Sequence, residues 1–169
     1  MKKAYTRVIK ISDFPKNSNH FLRLKFFCKE ILEACNEVKI KPIAYGSLAF
    51  FAYTRNKNWK VNDIDLLIPE SGFMKVIPML KKKRIKYDYS KEWHTLGIMK
   101  GNLKIEFDSK DYWQRNLPKK FVMLDFGDLK ITAVNKNTLT TIYKKASEVS
   151  KDNPEGNRRK YEVLKKLQE

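Results

Sequence analysis

Acidic residues are scarce in this chain of 169 residues: 19 Asp and Glu stand against 36 Lys and Arg, giving a formal net charge of +17. That deficit points to a polyanionic partner, with nucleic acid as the natural candidate. Histidine and cysteine are scarcer still, at 2 each. Cys28 and Cys35 sit in a helical pattern about 10 Å apart along the axis, too far to bridge. They read as reduced core residues of a cytosolic protein, without the His or Cys neighbours of a zinc site. No Pro, Gly or Ser-rich linker, internal repeat or low-complexity tract divides the chain, so one continuous domain is expected. No window approaches the roughly 18 apolar residues of a membrane span. The start Met1-Lys2-Lys3 leads into polar Tyr5-Thr6-Arg7 rather than an export signal, so a cytoplasmic protein with no membrane partner is expected. What remains is ample for folding: hydrophobic residues make up 42% of the chain, enough for a globular core.

Apolar residues recur at helical spacing over residues 21–38, namely Phe21, Leu24, Phe27, Cys28, Ile31 and Cys35, with Ser18 or Asn19 as N-cap. A short strand over residues 42–45 runs into Gly46-Ser47, and residues 48–53 then form a helix with Ser47 near its start. After a polar, basic loop over residues 54–60, the run Val61 to Ile68 reads as a strand stopped by Pro69. A helix capped by Ser71 follows through Lys81, its basic end Lys81 to Arg84 suited to the negative pole of the helix dipole. Strands are expected over residues 85–89, 93–99 and 103–109, the last two joined at Gly101-Asn102, and over 121–126 and 129–132 around Gly127-Asp128. A helix capped by Asn135 or Asn137 buries Leu139, Ile142, Tyr143, Ala146 and Val149. A break at Pro154 to Gly156 precedes a last helix with Tyr161, Leu164 and Leu167. The order helix, sheet, helices is that of an α+β domain with a mostly antiparallel sheet. Residues 1–134 form its core and 135–169 a helical extension packed on it.

Within this frame two features carry chemistry. Asp63 and Asp65, one residue apart in a strand, project from one face while Ile64 and Leu66 point to the other. Paired carboxylates repel and are costly to bury, and a divalent cation relieves both costs. The strand Leu103 to Asp108 alternates likewise, with Leu103, Ile105 and Phe107 inward and Glu106 and Asp108 opposite. If the two strands are neighbours, three or four carboxylates converge in an otherwise basic chain. Upstream, Gly46-Ser47 stands where a strand passes into a helix, offering backbone N–H groups and a positive dipole end to a phosphate. His94, beside Trp93 in a strand, reads as a half-buried histidine rather than a proton shuttle, and His20 as a helix-start residue.

Taken together, Ala44-Tyr45-Gly46-Ser47-Leu48-Ala49, Asn62-Asp63-Ile64-Asp65-Leu66-Leu67-Ile68 and Ile105-Glu106-Phe107 resemble the DNA polymerase β-like nucleotidyltransferase superfamily. Its pattern is a strand ending in Gly-Gly or Gly-Ser, a helix, a strand bearing Asp-x-Asp, and a third acid on a later strand. The resemblance covers about residues 41–108, and the gap from Ser47 to Asp63 is longer than in the small antibiotic-modifying members. It implies transfer of a nucleoside monophosphate from an NTP to an acceptor, which is RNA (tRNA included), a protein or a small molecule. It also implies that Asp63 and Asp65 bridge two Mg²⁺ ions, with Glu106, or else Asp108, as the third acid. Gly46 and Ser47 would hold phosphate, joined by at least one of Arg55, Lys57 and Lys60. Some members are toxins or defence components, which the chain's size allows. The competing readings are a catalytically silent RNA- or protein-binding module on the same scaffold, and a nuclease using the same acids.

Overall fold

The computed structural model describes residues 5–117 and 120–167, so the Met1-Lys2-Lys3 start lies outside the described residues. Eight strands form one sheet: β1 (Tyr5–Lys10), β2 (Ile43–Tyr45), β3 (Ile64–Ile68), β4 (Lys86–Ser90), β5 (Thr95–Lys100), β6 (Leu103–Ser109), β7 (Phe121–Asp125) and β8 (Lys130–Val134). Their order across the sheet is β1-β7-β8-β2-β3-β6-β5-β4. The pairs β1–β7, β2–β8 and β3–β6 run parallel and the other four antiparallel, so the sheet is mixed. The α+β class and the mostly antiparallel sheet expected from the sequence both stand. The hairpins β5–β6 and β7–β8 were legible because their turns are local. The parallel pairs join segments far apart in sequence, and β1 was not anticipated at all: it is a short edge strand, and Val8 within it is 49% exposed, leaving no alternation to read.

The helices are α1 (Ser18–Glu37), α2 (Gly46–Thr54), α3 (Phe73–Lys82), α4 (Lys110–Trp113), α5 (Lys136–Val149) and α6 (Pro154–Lys166). Helix α1 buries the predicted stripe of Phe21, Leu24, Phe27, Cys28, Ile31 and Cys35 in the main core. That core lies under the face of β3 and β6 carrying Ile64, Leu66, Ile68, Ile105 and Phe107. Asn17 rather than Ser18 or Asn19 occupies the N-cap position, without a side-chain capping bond. Burial pushes the thiol of Cys28 far above the usual cysteine range and that of Cys35 up to about 12, so both are inert core groups. Lys25, buried on the same helix, pairs with Asp128 at 2.6 Å and ties α1 to the β7–β8 turn.

The opposite face of the sheet carries a smaller core. There Ile43, Phe50 and Leu67 meet Leu139 and Tyr143 of α5 and Leu164 of α6. Helix α2 is apolar all round and lies between the two cores, Leu48 and Phe51 in one and Ala49 and Phe50 in the other. Asn135 caps α5, accepting from the Thr138 amide at 2.9 Å. The helix expected to start at Ser71 begins at Phe73 after a 3-10 turn over Glu70–Gly72. Among the described residues no helix is long and apolar enough to cross a membrane.

Candidate active site

The site is a row of polar side chains laid across three strands. In the β2–β3 pairing Tyr45 stands opposite Asp65, and in the β3–β6 pairing Asp65 stands opposite Glu106. Directly paired residues project from the same face, so sheet register brings together groups that lie far apart in the chain. Asp108, two residues along β6, shares that face with Glu106. Oxygens of Asp65, Glu106 and Asp108 lie within 4.8 Å of one another. The Tyr45 hydroxyl donates a short hydrogen bond to Asp108 Oδ2, and Lys104 Nζ lies 2.6 Å from Glu106 Oε2.

Asp63 is placed differently from the sequence reading. Strand β3 begins at Ile64, so Asp63 belongs to the bend before it and the face alternation starts only at Asp65. It lines the same cleft as Asp65 but stands outside the three-carboxylate cluster. The approach to Asp63 is held from α1: Asn17 Oδ1 accepts from the Val61 amide at 3.0 Å, and Asn17 Nδ2 donates to the Val61 carbonyl at 2.9 Å. His20 Nε2 donates to the carbonyl of Asn62 at 2.9 Å. Helix propensity alone gives no sign of this clamp.

Gly46 is indispensable to the geometry. Its φ is +63°, and a Cβ built there would stand 2.1 Å from Asp65 Oδ2. Backbone conformation and contact distance therefore both demand glycine. Ser47, in the first turn of α2, donates to the carbonyl of Asp63 at 3.3 Å.

A cleft of about 230 Å³ opens over Tyr45, Gly46, Ser47, Asp63 and Asp65, and Glu106 and Asp108 lie behind Asp65 rather than on its lining. Its far wall comes from the C-terminal helices, through Tyr143 and Ala146 of α5 and Asn157 and Lys160 of α6. Of these, Tyr143 and Ala146 were legible as inward-facing, but nothing in the sequence marked Lys160 as facing the acids. The Lys160 ammonium lies 5.1 Å from the centre of the Tyr143 ring and 5.8 Å from that of Phe50. Burial lowers its pKa, opposed by the attraction of Asp65 and Asp63. The Tyr143 hydroxyl, 5% exposed as a residue, is the buried side-chain polar atom without a partner among the described residues.

Electrostatically the row is poised for a cation. Burial raises the Asp65 pKa well above the carboxylate range, and the charges of Asp63, Asp108 and Glu106 add to it. Asp108 is pushed up to about 6, chiefly by burial, against the lowering hydrogen bond from Tyr45. Three clustered carboxylates form an all-oxygen donor set, the chemistry that suits Mg²⁺ or Mn²⁺. The residues present therefore fit a divalent ion.

The basic residues expected to help with phosphate lie elsewhere. Arg55 takes a left-handed conformation at the end of α2. It donates to the carbonyls of Ala52 at 2.7 Å and Lys10 at 2.6 Å, and Asp13 lies 3.7 Å from Arg55 and 3.3 Å from Lys57. Lys60 is exposed, and none of the three lines the cleft. His94 sits in the turn before β5 rather than in a strand, its Nδ1 2.8 Å from Glu70 Oε1 and its ring stacked on Tyr112.

A mixed sheet with a glycine-led helix beside a row of acids is the polymerase β-like nucleotidyltransferase fold, and this chain has it. Similar solved structures include the antibiotic-resistance factor ANT(2'')-Ia in solution, with a TM-score of 0.58 at 13% identity over 89% of this chain and 86% of that one. The lincosamide antibiotic adenylyltransferase LnuA, lincomycin-bound, gives 0.57 at 14% identity over 86% of this chain and 96% of its own. An antigenic nucleotidyltransferase-like protein from Paracoccidioides brasiliensis gives 0.60 at 11% identity over 85% and 76%. No family model and no curated protein matches the sequence.

Proposed function

We propose that the chain is a metal-dependent nucleotidyltransferase that moves a nucleoside monophosphate from an NTP to an acceptor hydroxyl. The observation that carries this reading is the register-built row of Asp65, Glu106 and Asp108 beside the Gly46-Ser47 helix start. Asp65, Glu106 and Asp108, with Asp63 beside Asp65 on the cleft wall, would hold the metal. A bound divalent cation supplies charge neutralisation for the triphosphate and lowers the pKa of the attacking hydroxyl. The backbone N–H groups at the start of α2 face phosphate oxygens, and Lys160 and the Tyr143 hydroxyl offer them further donors from the opposite wall. The acceptor oxygen forms a bond to the α-phosphorus as the α–β bridging bond breaks, and pyrophosphate leaves. The hydroxyl proton passes to the Asp108 carboxylate, the acid of the row that already holds a proton donor, the Tyr45 hydroxyl. Glu106 keeps Lys104 on Oε2 and has its other carboxylate oxygen to offer.

The test is transfer of label from each α-labelled NTP, with Mg²⁺, to RNA, protein and aminoglycoside acceptors. Asp65→Asn should lower turnover by at least about 100-fold while the fold is retained. Saturating Mg²⁺ should raise the wild-type Tm by several degrees and leave the Asp65→Asn Tm where it was. Equal turnover in wild type and variant would exclude the assigned site, and oligonucleotide cleavage without NTP would indicate a nuclease instead.

A further inference from the structure

A second cleft of about 520 Å³ opens beside the first, and the two share Ile142 on α5. One wall is α4 and the segment after it, carrying Tyr112, Trp113 and Arg115. The other is α5, carrying Thr141 and Lys145. Strand β6 feeds directly into it: Asp108 belongs to the carboxylate row, Ser109 accepts from the Tyr112 amide at 3.2 Å to start α4, and Tyr112 is already on the cleft wall.

The aromatic groups here are exposed but not loose. Tyr112 and Trp113 are 43% and 41% exposed. The Tyr112 ring stacks on His94 with centroids 4.1 Å apart and 19° between planes, and it meets Trp113 edge-on at 5.1 Å. The Trp113 indole N–H donates to the Trp93 carbonyl at 2.9 Å. The rings are thus set in place at little further entropic cost on binding. Among the described residues no acid lines the cleft, whereas Arg115 and Lys145 both do, Arg115 Nε donating to the Asp111 carbonyl at 3.1 Å. A polycationic small molecule would meet like charge there. A duplex keeps its base faces covered by stacking, so they are not open to protein rings. A single strand supplies both the phosphates for Arg115 and Lys145 and the open base faces for a ring platform.

We propose that this cleft binds a single-stranded nucleic acid and presents its terminal hydroxyl to the carboxylate row as the acceptor. The acceptor role rests on the transferase reading above, but the binding does not. Trp113 and Tyr112 stack bases, and Arg115 and Lys145 neutralise the backbone.

The experiment is a fluorescence anisotropy titration of the full chain with a short labelled single-stranded RNA, without NTP or Mg²⁺, across a salt series. The same series is run with single-stranded DNA, duplex RNA and heparin. Trp113→Ala should weaken single-strand binding by roughly 5- to 100-fold while leaving the salt slope unchanged. Lys145→Ala should weaken it and reduce the slope of log K against log salt by about 0.7. Exposed Lys81 and Lys82, at the far end of α3, serve as the control: the double alanine variant should bind nearly as wild type. Circular dichroism checks that each variant is folded, and because Lys145 is exposed on α5 its variant keeps the test decisive if Trp113→Ala does not fold. Equal loss in the control and cleft variants, or heparin and duplex bound as tightly as single strand, would overturn the proposal. Asp65→Asn should retain the binding. Binding without transfer would defeat the transferase reading alone, and transfer to a small molecule or protein with no oligonucleotide binding would defeat this one alone.

Discussion

Replacing Gly46 with alanine perturbs this site through two separable costs. The first is backbone strain: at φ +63° an L-residue is disfavoured by roughly 1–2 kcal/mol. The second is contact. The new Cβ would stand 2.1 Å from Asp65 Oδ2 and 3.0 Å from its carboxyl carbon, so the carboxylate must retreat by more than about 1 Å to reach ordinary van der Waals distance. A displacement of that size in a reacting constellation costs on the order of 100-fold in rate. Gly101 separates the two costs. Its φ is +60° and a Cβ there meets nothing within 4 Å, so Gly101→Ala carries the strain without the clash. In urea unfolding Gly101→Ala should lose roughly 1–2 kcal/mol from strain alone, and Gly46→Ala more than that, because the clash with Asp65 adds to it. Only Gly46→Ala should lose NMP transfer, by about 100-fold, together with the Mg²⁺-induced rise in Tm. Wild-type transfer by Gly46→Ala, or equal loss in the Gly101 variant, would refute the claim that Gly46 acts by making room for Asp65.

Further outcomes follow from the same geometry. Lys160→Ala should raise KM for the NTP with kcat less affected, as expected of a group that grips the triphosphate before reaction, and steady-state kinetics would read this directly. In metal-free buffer Asp108→Asn should stabilise the protein above about pH 6. The Asp108 pKa is raised from 3.8 to about 6 on folding, so its ionisation costs stability as pH rises through that window, by at most about 3 kcal/mol, and the gain should vanish near pH 4. A Tm difference between variant and wild type that is the same at both pH values would contradict this. Asn17→Ala removes both bonds to Val61. It should cost about 1–3 kcal/mol and lower kcat through Asp63, whereas if kcat is unchanged the clamp is structural only.

The sequence by itself determined the local elements and the candidates. The stripe of α1 is fixed by helical periodicity, and the β5–β6 and β7–β8 hairpins by turn residues next to alternating strands. Gly46-Ser47 and the pair Asp63 and Asp65 stood out because residue type and immediate neighbours are local information. The alternation of Leu103 to Asp108 likewise put Glu106 and Asp108 on one face, but left open which strand that face would meet. Tertiary structure decided the rest, because parallel pairing joins segments separated by a crossover and leaves no mark in either. The β3–β6 register sets Asp65 beside Glu106, the β2–β3 register puts Tyr45 within reach of Asp108, and the late start of β3 moves Asp63 out of the row. Only the docking of α5 and α6 on the second core brings Lys160 and Tyr143 over the acids, while Arg55 and Lys57 turn to Asp13. Charge composition could not foretell that choice, since any of 36 basic side chains could have faced the cleft, and packing of apolar neighbours selected which one did.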